Sequence, residues 1–166
     1  MQIIKKIYLT PIYKKEEKFF YRLAKKTSSW LHPDLVTALA VLSALGTFLL
    51  LAFFSAKEAY LYSCILVFLH WLFDGLDGKL AKVKKLHRPA GALIDKISDT
   101  ASSIFFVSGL FSRIFPPAIL ISCAIMLIIN VARVLLWHYK KIEVKAGGTE
   151  GRILFIVLCL LLFFAS

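Results

Sequence analysis

Acidic residues, cysteines and a targeting leader are what this 166-residue chain has least of. Cys64, Cys123 and Cys159 stand apart within apolar runs, with no CxxC pair and no histidine at ligand spacing, so they read as small core or lipid-facing residues. No signal peptide is recognisable, because the first long apolar run begins only at Leu35 and exceeds the length of an h-region. There is no internal repeat, no low-complexity tract and no sign of a second domain. Asp and Glu together number 10 against 21 Lys and Arg, a formal charge of +11. The distribution of that charge argues against nucleic-acid binding. Eight basic residues precede His32, five lie between Lys79 and Arg88, and a further group (Arg133, Lys140, Lys141, Lys145, Arg152) flanks the fourth and fifth apolar runs. The intervening loops hold only Lys57 and Arg113. This alternation is the positive-inside signature and places the N-terminus, the 79–91 loop and the 140–151 loop in the cytoplasm.

What is abundant is apolar: 59% of residues are hydrophobic and the mean hydropathy is +0.75. A spanning helix needs roughly 17 to 25 mostly apolar residues. Leu35–Ala56 meets that without a charge, and Ala59–Ala81, Ala92–Phe111 and Pro117–Tyr139 meet it while carrying polar groups. The last run, Ile153–Ala165, is short unless it begins near Gly147. The expected architecture is therefore all-α, a polytopic transmembrane bundle of about five spans. Thr10 and Pro11 mark the start of an amphipathic helix in which Ile12, Phe19, Phe20, Leu23 and Ala24 alternate with Lys and Glu; such a helix lies on the inner leaflet, with Trp30 and His32 at the boundary. Residues 1–33 are thus a cytoplasmic juxtamembrane segment and 34–166 the transmembrane domain, with Asp34 the expected N-cap of its first span.

Four of the few acidic residues, Asp74, Asp77, Asp95 and Asp99, fall in the second and third apolar runs. A charge near the middle of a span costs about 2.5 to 3.5 kcal/mol, so this group is tolerated only beside a polar cavity, a cation or the interface. At helical spacing Asp74, Asp77, Gly78 and Ala81 share one stripe, and Gly91, Asp95 and Asp99 another. A basic loop with Pro89 lets the two helices run as antiparallel neighbours, the carboxylates facing each other. Hard oxygen ligands of this kind suit Mg²⁺, Mn²⁺ or Ca²⁺ better than zinc. Gly78 and Gly91 remove bulk where a ligand approaches, and Lys79, Lys82, Lys84, Lys85 and Arg88 suit a phosphorylated ligand. Metal, phosphate and a carboxylate base together point to phosphoryl transfer. Asn130, Arg133, Thr149, Glu150 and Arg152 are further polar groups near membrane depth, and His70 stands one turn before Asp74.

The stretch from Asp74 to Asp99 resembles the signature of the CDP-alcohol phosphotransferase family, DxxDGxxAR(x8)GxxxDxxxD. Every interval is kept, and only the Arg differs, being Lys82 here. The resemblance implies attack of an alcohol hydroxyl on a CDP-activated alcohol, releasing CMP. It implies two divalent ions, Mg²⁺ or Mn²⁺, held by Asp74, Asp77 and Asp95, with Asp99 as general base and as a further ligand. Gly78, Ala81, Lys82 and Gly91 would line the nucleotide and its phosphates, and Arg133 or Arg152 would hold the acceptor. It also implies a six-span, commonly dimeric, membrane enzyme of phospholipid synthesis with its site at the cytoplasmic face. An end at Ser166 leaves no room for a sixth span, so a fragment or a shortened member is expected. The preferred substrates are a CDP-activated lipid and a small polar alcohol. CDP-choline or CDP-ethanolamine with a diradylglycerol acceptor is the alternative, and "GGTEGR" faintly resembles the GPxEG stretch of enzymes of that type. A prenyltransferase also uses two Asp-rich helices, but its acidic motifs resemble separated repeats much farther apart than the 18 residues from Asp77 to Asp95, and a non-enzymatic cation transporter accounts for the carboxylates but not for the glycines and lysines at these intervals.

Overall fold

A computed structural model describes residues 5–8, 12–27, 31–86, 89–114, 121, 124–125, 127–129, 131–132, 135, 142–145 and 148–165. Helix α2, Pro33–Phe53, is built mostly of Leu, Ala, Val and Phe. His32 caps it in an extended conformation, its Nδ1 accepting the Asp34 amide at 3.3 Å, and Pro33 opens the helix. Asp34 therefore lies inside the first turn, where it favours the positive end of the helix dipole, and is not the cap expected above. Proline at the first helical position displaces the cap by two residues.

The buried face of α2 is Val36, Ala40, Ser43, Ala44, Thr47 and Leu51, a stripe at three- and four-residue spacing. Ser43 and Thr47 satisfy their hydroxyls on Leu39 O and Ser43 O, at 2.8 and 3.0 Å, so neither needs a partner outside the helix. The small residues let neighbours come close: a Cβ on Gly109 would stand 3.1 Å from Phe48 Cα. The opposite face exposes Leu35, Leu42, Leu49 and Phe53, as a lipid-facing surface does.

Helices α3 (Glu58–Val83) and α4 (Pro89–Ile114) both pack on α2 more closely than on each other. The two helices still meet directly, His70 of α3 packing edge-on against Phe106 of α4 with ring centroids 4.9 Å apart, and they face each other across a cleft toward the Gly78 and Gly91 end. Helix α3 ends in a left-handed residue, Lys85 at φ 56°, with Leu86 N bonded to Ala81 O and Lys85 N to Lys82 O. Helix α5, Gly148–Ala165, packs on α3. Ala44, Leu51, Val67, Phe106, Leu110, Phe155 and Cys159, from α2, α3, α4 and α5, make one apolar core. The described residues between 121 and 135 include further helical positions with exposed Ile, Leu and Val side chains.

Helix α1, Ile12–Thr27, is amphipathic as the sequence indicates, and it buries Phe20 and Ala24 against Val36, Leu76 and Leu80. A Cβ on Gly75 would overlap the Phe20 ring, so this glycine is the notch that admits α1. To the helical architecture the structure adds one element with no local sequence signal, a parallel pairing of β1 (Lys5–Tyr8) with β2 (Ile142–Lys145), in register Lys5↔Ile142 to Tyr8↔Lys145. It joins the N-terminal segment to the 140–151 loop, two regions rich in positive charge.

Among the described residues α2 and α3 are long and apolar enough to cross a membrane, and Gly151–Ala165 is a shorter apolar stretch. Helix α4 has the length, 26 residues, but carries Asp95, Lys96, Asp99 and Arg113. Thr10, Pro11, Trp30, Cys123, Asn130 and Arg133 lie outside the described residues.

Candidate active site

The acidic residues sit where α3 and α4 face each other. Asp77 interacts electrostatically with Asp74 and Asp95, and Asp99 with Asp74 and Asp95, so all four carboxylates share one field. Asp77 opposes Asp95 and Asp74 opposes Asp99, the order that antiparallel helices require. The two carboxylates of α3 differ in their surroundings. Asp77 is buried and accepts the Thr37 hydroxyl of α2 at 2.8 Å on Oδ2, while its Oδ1 receives the Gly78 amide. Thr37 thus anchors Asp77 to the apolar helix α2.

Asp74 turns toward α5. Arg152 Nη2 lies 2.6 Å from Asp74 Oδ2 and 3.2 Å from His70 Nε2. His70 Nδ1 is 3.0 Å from Ala40 O, which can only accept. The Nδ1 therefore carries the proton and Nε2 offers its lone pair to the guanidinium, giving a continuous chain Ala40–His70–Arg152–Asp74. Phe106 packs edge-on against the His70 ring with centroids 4.9 Å apart, which fixes its plane. His70 accordingly orients Arg152 and reaches Asp74 through it.

Gly78 and Gly91 border open space, since a Cβ on either meets nothing within 4 Å. Lys82 is exposed near the end of α3 and Ala81 is half-buried. A groove of about 440 Å³ between α1 and this end of α3 is lined by Glu17, Lys18, Tyr21, Lys79 and Lys82, with Lys79 Nζ 2.9 Å from Glu17 Oε1. Glu16, Thr37 and Trp71 were not singled out from the sequence. Glu16 reads there as one of several charges on an amphipathic face, and no local pattern reveals that its partners lie 55 and 133 positions away.

Whether this donor set fits a divalent ion is a question of number and hardness. No group of three or more His, Cys, Asp or Glu among the described residues closes tightly enough to enclose an ion unaided. Mg²⁺, however, is usually held by one or two carboxylates together with water and substrate phosphates. Facing carboxylates beside glycine-lined open space fit that mode, and cations would relieve their mutual repulsion.

The sequence profile of the CDP-alcohol phosphatidyltransferase family, a family of membrane-embedded transferases, matches residues 30–166. Among curated proteins, "Ethanolaminephosphotransferase 1" of Homo sapiens is 29% identical over 107 residues, covering 57% of this chain and 27% of that protein. The protein of the same name from Pongo abelii matches with the same identity and coverage. The chain thus spans about a quarter of the length of these relatives.

Proposed function

The chain belongs to the CDP-alcohol phosphatidyltransferase family, and on that premise we propose that it is a membrane phosphotransferase joining a CDP-activated lipid to a small polar alcohol with release of CMP. The observation that carries the reading is the convergence of Asp74, Asp77, Asp95 and Asp99 on one cleft between α3 and α4. Asp74, Asp77 and Asp95, with Asp99, would hold one or two Mg²⁺ or Mn²⁺ ions, which when bound neutralise the pyrophosphate and the departing nucleotide.

The reaction balances without a further reactant. The acceptor oxygen bonds to the donor phosphorus that bears the lipid, the bond from that phosphorus to the CMP oxygen breaks, and the hydroxyl proton passes to an Asp99 carboxylate oxygen. Thr37 holds Asp77 in place, and the His70–Arg152 pair holds Asp74. Gly78 and Gly91 leave room for the nucleotide against the helices, and Lys82 supplies a cation for its phosphates. A lysine there keeps the charge of the family's arginine while forgoing its two-pronged hydrogen bonding.

The ethanolaminephosphotransferase matches favour a second reading, in which the donor carries the amino alcohol and the acceptor is a diradylglycerol. One assay separates the readings: membranes containing the protein receive Mn²⁺ or Mg²⁺, labelled CDP-lipid or CDP-ethanolamine, and a panel of acceptors. Metal-dependent CMP release that disappears in Asp95→Asn is the expected result, and the donor consumed decides between the two. Cation flux without CMP from either donor would overturn both in favour of a transporter.

A further inference from the structure

Glu16 stands outside the acidic cluster, on an interfacial helix, yet three elements meet at its carboxylate. Its Oε1 accepts the Trp71 indole N–H of α3 at 2.6 Å. The Thr149 hydroxyl of α5 lies 3.0 Å from Oε1 and 2.8 Å from Oε2, one proton shared between both oxygens. Thr149 is buried, so this bond is shielded from competing solvent.

The partners lie beside the Asp74–Arg152 pair on antiparallel helices, as the Cys64–Ile156 and His70–Arg152 contacts show. Trp71 lies three residues before Asp74 on α3, and Thr149 lies three residues before Arg152 on α5. Residues three apart share a helix face. Glu16 therefore joins the same two helices that the Asp74–Arg152 pair joins, one turn away, and it lies within electrostatic reach of Arg152. Two cross-links one turn apart fix both separation and rotation of a helix pair, where one alone leaves rotation free.

We infer that Glu16 is a positioning residue of the proposed active site: by bridging Trp71 and Thr149 it sets α3 against α5 so that Arg152 aligns Asp74, and the docking of α1 thereby governs the alignment of the acidic cleft. The inference rests on the phosphotransferase reading for its effect on turnover and on geometry alone for its effect on α5. Outer-shell partners of catalytic carboxylates typically change activity about 10- to 100-fold when removed.

The test uses the full chain in lipid nanodiscs, with kcat and KM for CMP release and with amide hydrogen exchange across residues 149–156. Glu16→Gln and Thr149→Val should each lower kcat about 10- to 100-fold with KM within about twofold, and the double variant should be no worse than either single one. Exchange across 149–156 should rise in both. Thr149→Ser, which keeps the hydroxyl, should behave as wild type and guards against mere misfolding, as should Glu58→Gln at the far end of α3. Unchanged kcat and exchange in Glu16→Gln, or additive effects in the double variant, overturn the inference. If wild type releases no CMP from either donor while exchange still rises in Glu16→Gln, the bridge stands and the phosphotransferase reading falls.

Discussion

The two halves of α3 bury their inward faces by different means. From Glu58 to Leu69 the helix packs through Ala59, Ser63 and Val67 into an apolar core with Leu51, Phe106, Phe155 and Cys159, and its contacts are mostly apolar, with one weak thiol bond from Cys64 Sγ to Ile156 O at 3.8 Å. From His70 to Val83 the inward face is His70, Asp77 and two leucines, and five side chains of this half, His70, Trp71, Asp74, Asp77 and Lys79, bond to α1, α2 and α5. Shape packing in lipid fixes distance but tolerates small rotations, whereas directional hydrogen bonds fix rotation as well. The half that needs its side chains aimed is the half held by bonds, and that half contains the acidic cleft.

Substitutions along α3 and its partners separate these modes. The largest effect is expected at Asp99→Asn, where CMP release should fall about 10²- to 10⁴-fold, the contribution typical of a general base. Its unfolding midpoint in detergent should hold or rise, because a buried carboxyl crowded by Asp74 and Asp95 becomes an uncharged amide of the same shape. Arg152→Met should do the reverse in kind, leaving Asp74 buried without its partner and costing about 3–5 kcal/mol of stability. Arg152→Lys should cost less. In the apolar half, Leu51→Ala should destabilise by about 2–5 kcal/mol through the cavity it opens, while the folded fraction keeps its kcat. A Leu51→Ala protein with full stability and impaired turnover would break the contrast between the halves.

Smaller effects sharpen it. Gly75→Ala sets a methyl against the Phe20 ring and should cost about 1–3 kcal/mol, and the cost should shrink in a Phe20→Leu background, which a double-mutant cycle of unfolding midpoints reads directly. Lys85→Gly relieves a left-handed backbone at the end of α3, away from either mode of packing, and should stabilise by roughly 1 kcal/mol with no change in activity.

How much of this was legible in the sequence follows from the range of each interaction. The acidic stripes, the two glycines and the amphipathic face of α1 are local patterns with helical periods, and the structure places Phe20, Ala24 and the four carboxylates accordingly. At the start of α2 two good signals overlap, an Asp suited to capping and a Pro suited to the first helical position, and Pro33 prevails so that His32 is the cap. The bonds of Arg152 to His70 and Asp74 and of Glu16 to Thr149 join residues 82, 78 and 133 positions apart, and nothing at either end marks the other. The β1–β2 pairing is of the same kind.

The central claim is that carboxylates of α3 and α4 face one another and jointly hold divalent ions on a nucleotide diphosphate. Mn²⁺ binding followed by electron paramagnetic resonance, with and without a non-hydrolysable CDP-alcohol analogue, tests it most directly. The account predicts saturable binding that tightens with the analogue and is lost in both Asp77→Asn, on α3, and Asp95→Asn, on α4. Binding that survives either substitution, or that ignores the analogue, would contradict it.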